Sequence, residues 1–284
     1  MKPLPRPLYV FFCCVATPLF MSAENPSAAT PLPTTVWDFA RLDAKPTGMG
    51  FFRRVTDQPT ATLRKLEFHI TQLDPGHLSH QPHQHPQEEL IVLQQGALDV
   101  QINGHVQRVG PGSVFFFASY DWHNVKSVGD VPALYDVINF ATDKTAARPA
   151  SKTPAAESAP PGTLPSSVYD WEKIPAKPAS YGVYHPLFNS PTVTLDHLEV
   201  HVTTLNPGQL SPHGTHNHLD ETLLIVKEGA PDIIINGVVH RAAPGTIAFI
   251  ASNQSFGLKN ATDAPAIYYV LHFSTPLTPK SAAE

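Results

Sequence analysis

A chain of 284 residues with 30 prolines, 15% charged side chains and a formal charge of −5 has room for two ordinary domains. The proline load and low charge exclude long helices and an acidic disordered chain. No basic stripe interleaved with aromatics occurs, which excludes nucleic acid as a partner.

The chain opens on a targeting segment. Lys2 and Arg6 precede an apolar run over 8–21, then small Ser22 and Ala23 and a polar, proline-containing stretch. Residues 1–23 read as a signal peptide cleaved after Ala23. The run is shorter than the ~20 apolar residues of a spanning helix. The mature protein is therefore expected to be secreted or periplasmic, with no stable membrane span. Both cysteines, Cys13 and Cys14, leave with the leader, so no disulfide is expected.

Residues 24–142 form the first predicted domain, and its signals are β signals. Residues 66–73 alternate in part and end at the Pro75-Gly76 turn. Residues 90–93 are a short apolar run before Gly96, and 98–102 lead into Asn103-Gly104, a strong hairpin signal. Residues 114–117 and 135–140 read as further strands, with Phe115, Phe116 and Phe117 in the core. No ten-residue helical pattern competes. Residues 143–163, rich in Ala, Pro and Ser, read as a linker.

The second domain, 164–276, repeats the first, and 277–284 form a tail. LPTTVWDF at 32–39 returns as LPSSVYDW at 164–171, and LEFHITQLDPG at 66–76 as LEVHVTTLNPG at 198–208, both 132 residues on. The register then gains one residue. HQHPQEELIVLQQG at 83–96 faces HNHLDETLLIVKEG at 216–229, and YDVINF at 135–140 faces YYVLHF at 268–273. Two copies of one all-β domain, built from many short strands, predict a pair of sandwiches or barrels.

The first copy carries candidate metal ligands. His83 and His85 are two apart, and Glu89 shares their parity, so an extended segment would project all three from one face. Glu88 has the opposite parity and should point away. His123 follows a predicted strand and turn that can pass beside that segment. Three neutral imidazoles and a carboxylate suit one divalent transition ion: Mn, Fe, Zn, Ni or Cu. In the second copy His216 and His218 remain, while Thr222 stands at the position of Glu89 and Phe256 at that of His123. That half reads as a vestigial site, to which His213 or Glu221 could contribute only by rearrangement.

These residues carry a family resemblance. P-G-x(6)-H-x-H-x(3)-E-x(6)-G, from Pro75 to Gly96, resembles the first cupin motif with one extra residue before the first histidine. Gly104, Pro111-Gly112 and His123 resemble the second motif, with Ala118, Tyr120 and Ser127 where it has Pro, Gly and Asn. The resemblance covers both repeats and implies two tandem antiparallel jelly-roll barrels, a bicupin. It places the metal on His83, His85, Glu89 and His123. The general layout is most similar to ureidoglycine aminohydrolase-like bicupins, whose metal site lies in the C-terminal barrel, whereas here the complete set is N-terminal.

The function expected is a metal-dependent enzyme acting on a small carboxylate, ureide, sugar acid or phenol, with a non-catalytic binding or storage protein as the alternative. His80, in the loop before the ligands, is the candidate acid or base, or else a solvated loop residue. His69 and His201 match across the copies within a strand and read as hydrogen-bonded structural histidines. Arg53, Arg54 and Arg64 could meet a carboxylate, but nothing in the sequence places them in the cavity. A monomer with an intramolecular barrel pair, or a homodimer, is expected.

Overall fold

The computed structural model describes residues 30–145, 159–212 and 214–280. The proposed leader, most of the linker, His213 and the end of the tail lie outside them. The first repeat contributes β1 (Thr35–Trp37), β2 (Lys45–Thr47), β3 (Gly50–Gln58), β4 (Lys65–Leu73), β5 (Glu88–Gln95), β6 (Ala97–Ile102), β7 (His105–Val109), β8 (Val114–Phe117), β9 (His123–Val128) and β10 (Ala133–Ala141). The second contributes β11 (Ser167–Tyr169), β12 (Lys177–Ala179), β13 (Gly182–Ser190), β14 (His197–Leu205), β15 (His216–His218), β16 (Glu221–Glu228), β17 (Asp232–Ile235), β18 (Val238–Arg241), β19 (Ile247–Ile250), β20 (Gln254–Lys259) and β21 (Ala266–Ser274). Among the described residues helix is confined to two short 3-10 turns at equivalent places, Phe39–Arg41 and Trp171–Lys173, capped by Asp38 and Asp170.

Each half is an antiparallel jelly-roll barrel of one large and one small sheet. The large sheets run β11-β8-β5-β10-β4-β3-β2 and β1-β19-β16-β21-β14-β13-β12, and the small ones β7-β6-β9 and β15-β20-β17-β18. The five strands expected in the first repeat are present. β3 has no counterpart among them. A bulge between Arg54 and Thr56 shifts its register and breaks the period-two pattern that marks a strand in sequence.

The repeat boundary is not the sheet boundary. β1, the first strand of the first repeat, pairs with β19 of the second, and β11 pairs with β8 of the first. Each half therefore finishes the other's large sheet. Between those sheets lies a shared core, in which Leu90, Val92, Phe116, Ile138 and Phe140 meet Leu223, Ile225, Phe249, Leu271 and Phe273. Alternate residues turn the other way into each barrel, as Ile91, Leu93, Phe115 and Phe117 do in the first. Burial on both faces explains why the middle of β5, Leu90 to Leu93, and all of β8 read as unbroken apolar runs.

Two glutamates clasp the halves together. Glu88 faces away from the barrel interior, as its parity requires. It accepts bonds from the Thr192 and Thr194 hydroxyls and from the Val193 amide at 2.9 Å. Its counterpart Glu221 accepts from Thr60 at 2.5 Å and from Thr62 at 2.8 Å. Burial pushes both carboxyls up, against those hydrogen bonds. The Tyr269 hydroxyl adds a further cross-link, donating to the Gly112 carbonyl at 3.0 Å. Glu88→Ala leaves two buried hydroxyls and an amide without their acceptor. It is expected to lower stability by about 3 kcal/mol, read from the urea midpoint. A loss below about 0.5 kcal/mol, the range of a plain surface change, would mean that the clasp does not support the pairing.

Asp136 lies on the same face of β10 as Ile138 and Phe140, and so toward the shared core. It is 2% exposed and accepts a bond from the Gln94 side chain at 2.5 Å. Burial, only partly offset by that bond, pushes its carboxyl up to about 7.

Candidate metal centre

The ligand segment between β4 and β5 is extended but is not one strand. Pro82 and Pro86 flank His83 and His85 and remove ladder donors, and β5 begins only at Glu88. Two anchors hold the segment instead. The backbones of His83 and His123 exchange hydrogen bonds at 3.2 and 2.9 Å, and the Tyr120 amide donates to the His85 carbonyl at 2.9 Å. His123 opens β9, and Glu89 is the second residue of β5.

These anchors bring the four side chains together at one end of the first barrel's cavity. The ligand nitrogens of His83, His85 and His123 lie within 4.8 Å of one another. Glu89 places one oxygen 3.6 Å from His85 Nε2 and the other 3.7 Å from His123 Nε2. Each imidazole has its Nδ1 against a backbone carbonyl: His83 on His123 at 3.3 Å, His85 on Gln87 at 3.0 Å and His123 on Asp121 at 2.8 Å. A proton on Nδ1 satisfies each carbonyl and leaves the Nε2 lone pair for the cluster, the tautomer a metal ligand needs. His123 also stacks on Phe117, 4.3 Å between ring centres and 10° from parallel.

The electrostatics follow from burial. Desolvation, with Glu89 opposing, lowers His123 to about 4, and desolvation together with His80 lowers His83. For His85, Glu89 outweighs desolvation and the pKa rises. Burial works against charge on Glu89. The His85 imidazole 3.6 Å away, with His123 and His69 beyond it, nevertheless holds its carboxyl down at about 2. The cluster thus sets one carboxylate, held low, among three imidazoles.

The residues fit a divalent ion. His123 Nε2 is buried with no hydrogen-bond partner, a costly state for a polar atom unless something else meets it. Gaps of 3.6 and 3.7 Å to the carboxylate are too long for hydrogen bonds and leave room for a cation between the donors. A bound ion stabilises only the folded chain. At a free concentration of about 100 times Kd it is expected to add about 2.7 kcal/mol, measured as a rise in the melting midpoint that EDTA reverses. An unchanged midpoint at millimolar ion would exclude a site of useful affinity.

The cavity, about 580 Å³, is also lined by His80, Glu67, His69, Arg54 and Asn139. His80 is exposed at the mouth, its ring centre 3.9 Å from that of His83 and its Nδ1 against the Gln81 carbonyl. Of the three arginines singled out by sequence, Arg54 lines this cavity and pairs with Asp57 at 2.8 Å. Arg64 pairs with Asp143, and Arg53 lies over Phe39. Glu67 and Asn139 were not singled out. Glu67 is two residues from His69, the same spacing that drew attention to His83 and His85.

The second barrel keeps a cavity of about 530 Å³ but rebuilds its interior. His218 lies between Phe256, 4.2 Å away, and His272, 5.3 Å away, both stacked on it. Thr222 Oγ1 meets His272 Nδ1 at 2.9 Å, and burial lowers His272 to about 4. His216 is exposed, and Glu221 is committed to Thr60 and Thr62. Among the described residues no triad of ligand atoms as close as that of the first barrel occurs here. His213 lies outside them.

Comparison with known proteins agrees with this architecture. The cupin domain model matches residues 69–139 and 201–272, one stretch in each repeat. No curated protein sequence matches the chain. Among solved structures it is similar to the Lactobacillus farciminis oxalate decarboxylase formate complex, with a TM-score of 0.64 at 15% identity, covering 87% of this chain and 88% of that one. It is also similar to a mutant of Bacillus subtilis oxalate decarboxylase, with a TM-score of 0.64 at 14% identity, covering 88% and 80%. A third structure, from a study of the Mn(II) centres of the Bacillus subtilis enzyme, gives 0.64 at 16% identity, covering 88% and 80%. Two matched domains over half the chain and two barrels in one fold lead to one assignment: this chain belongs to the cupin family, as a bicupin.

Proposed function

We propose that the chain is an exported metal-dependent enzyme whose N-terminal barrel holds one divalent transition ion on His83, His85, Glu89 and His123 and acts on a small carboxylate. The observation that carries this reading is the buried, unpartnered Nε2 of His123 facing the Glu89 carboxylate. When bound, such an ion supplies a Lewis acid and, if it is Mn or Fe, a one-electron couple. The chain's own residues do the rest. Three imidazoles and a single carboxylate leave a local charge near +1 around a divalent ion, which favours an anionic substrate. Ile91, Phe117, Val125 and Val137 line the cavity beside the cluster and give it an apolar wall. The oxalate decarboxylases of similar fold support a carboxylate over a ureide, sugar acid or phenol.

The test is metal analysis of the purified chain, followed by a turnover screen. Oxalate, other small carboxylates, ureides, sugar acids and diphenols are each assayed with added metal and with EDTA. The reading expects about one ion per chain and EDTA-sensitive consumption of a carboxylate. A chain that stays metal-free in metal-replete medium overturns it in favour of a binding or storage protein. A second barrel that lacks counterparts of Glu89 and His123 suits a supporting, non-catalytic half.

A further inference from the structure

On the same sheet as Glu89, two strands away, a second group of polar side chains lines the first barrel's cavity. His69 Nδ1 is 2.8 Å from Glu67 Oε1, and Asn139 Nδ2 donates to Glu67 Oε2 at 3.0 Å. Both oxygens of Glu67 are thereby fixed. In strand register Asn139 faces Glu67 on one side and Glu89 on the other. The two glutamates therefore sit in one row across three neighbouring strands, about 10 Å apart at Cα. His69 rests on the Phe52 ring, 4.9 Å between centres, and both it and Glu67 line the cavity. His83, His85, Glu89 and His123 line that same cavity, so the pair and the cluster share one space.

Resting on the reading of the cluster as a metal site, we propose that Glu67 and His69 are the proton-transfer pair of this cavity, with His69 as general base and acid and Glu67 as the positioning residue. An ionised Glu67 can only accept, so the Nδ1 proton of His69 points to it and Nε2 keeps its lone pair. A hydroxyl or carboxylic acid held at the cluster loses its proton to that atom. The O–H bond breaks, an Nε2–H bond forms, the electron pair stays on the ligand oxygen, and the imidazolium charge is balanced by Glu67. The proton returns by the reverse transfer. A carboxylate behind the imidazole is the recurrent arrangement that orients such a base. His80 lacks it, having only the Gln81 carbonyl at its Nδ1. The equivalent pair in the second barrel, Glu199 and His201 at 3.2 Å, faces no such triad among the described residues and serves as an internal control.

The experiment uses the full-length chain loaded with Co2+, with solvent as the only other ligand. Its visible spectrum is followed from mildly acidic to mildly basic pH. His69→Gln and Glu67→Gln are both expected to retain Co2+ and to move the spectral midpoint upward. The shift should be about one unit or more for the first and smaller for the second. His201→Gln should leave the midpoint in place. A structural role for the pair would change folding or metal content but not this midpoint. If His69→Gln and Glu67→Gln fold, bind Co2+ and titrate like the parent, the pair is not the proton relay. A parent chain that takes up no Co2+ overturns the metal reading itself, and the proposal with it.

Discussion

His123→Gln is expected to weaken binding of the divalent ion by more than about 100-fold, since losing an outer-sphere partner of a ligand alone costs 10–100-fold. The imidazole is buried and stacked on Phe117, and glutamine keeps polarity and much of the volume, so the fold should survive. What is lost is the Nε2 that faces Glu89 from the opposite side of the cluster. Glu89→Gln should act similarly for a different reason, because it removes the only anionic donor and leaves neutral ligands around a doubly charged ion. Competition against a chromophoric chelator gives both affinities. His216→Gln, at the position in the second repeat that corresponds to His83, should bind like the parent chain. Equal losses from His216→Gln and His123→Gln would place the ion outside the first barrel and remove the basis for the proposed activity.

Asp136 predicts a pH dependence of unusual direction. Its folded value of about 7 lies above its ordinary value of 3.8, so the folded chain binds this proton more tightly than the unfolded chain does. Stability from this group is greatest below the unfolded value, falls as pH rises between the two, and is level above the folded one. The difference amounts to up to about 4 kcal/mol. Asp136→Asn keeps the shape and removes the titration. At pH 8 the variant should be more stable than the parent by up to that amount, and the gap should close toward pH 4. Urea unfolding at several pH values measures it. Parallel curves for parent and variant would mean that the carboxyl is ionised without penalty in the shared core.

Much of this was legible from residues alone, for identifiable reasons. A long repeat broken by a single one-residue slip exposes a duplicated domain whatever its fold. Ligands at fixed spacing expose the candidate centre, because His83, His85 and Glu89 lie close in sequence and only His123 had to be brought in. Legibility failed where partners are distant. LPTTVWDF and LPSSVYDW show themselves as a repeat, but nothing local says that β1 pairs with β19 and β11 with β8. Parity turned Glu88 away from the ligands, and Glu221 could join them only by rearrangement, yet the donors that hold both, at Thr192–Thr194 and Thr60–Thr62, meet them only when the halves dock. The second barrel's loss of Glu89 and His123 equivalents was visible. Its replacement packing was not, because His272 enters from β21, far along the chain from His218.

The crossing of β1 and β11 into each other's sheets bears on how such a molecule can be divided. Either half produced alone would lose the strand that borders β8 or β19, and its own first strand would be left with no acceptor. Because the two first strands are alike in sequence, two copies of one half could satisfy each other reciprocally. A one-repeat polypeptide of this topology would then exist only as an interlocked pair, at a cost set by concentration. Covalent fusion makes that association unimolecular, so dilution cannot dissolve it.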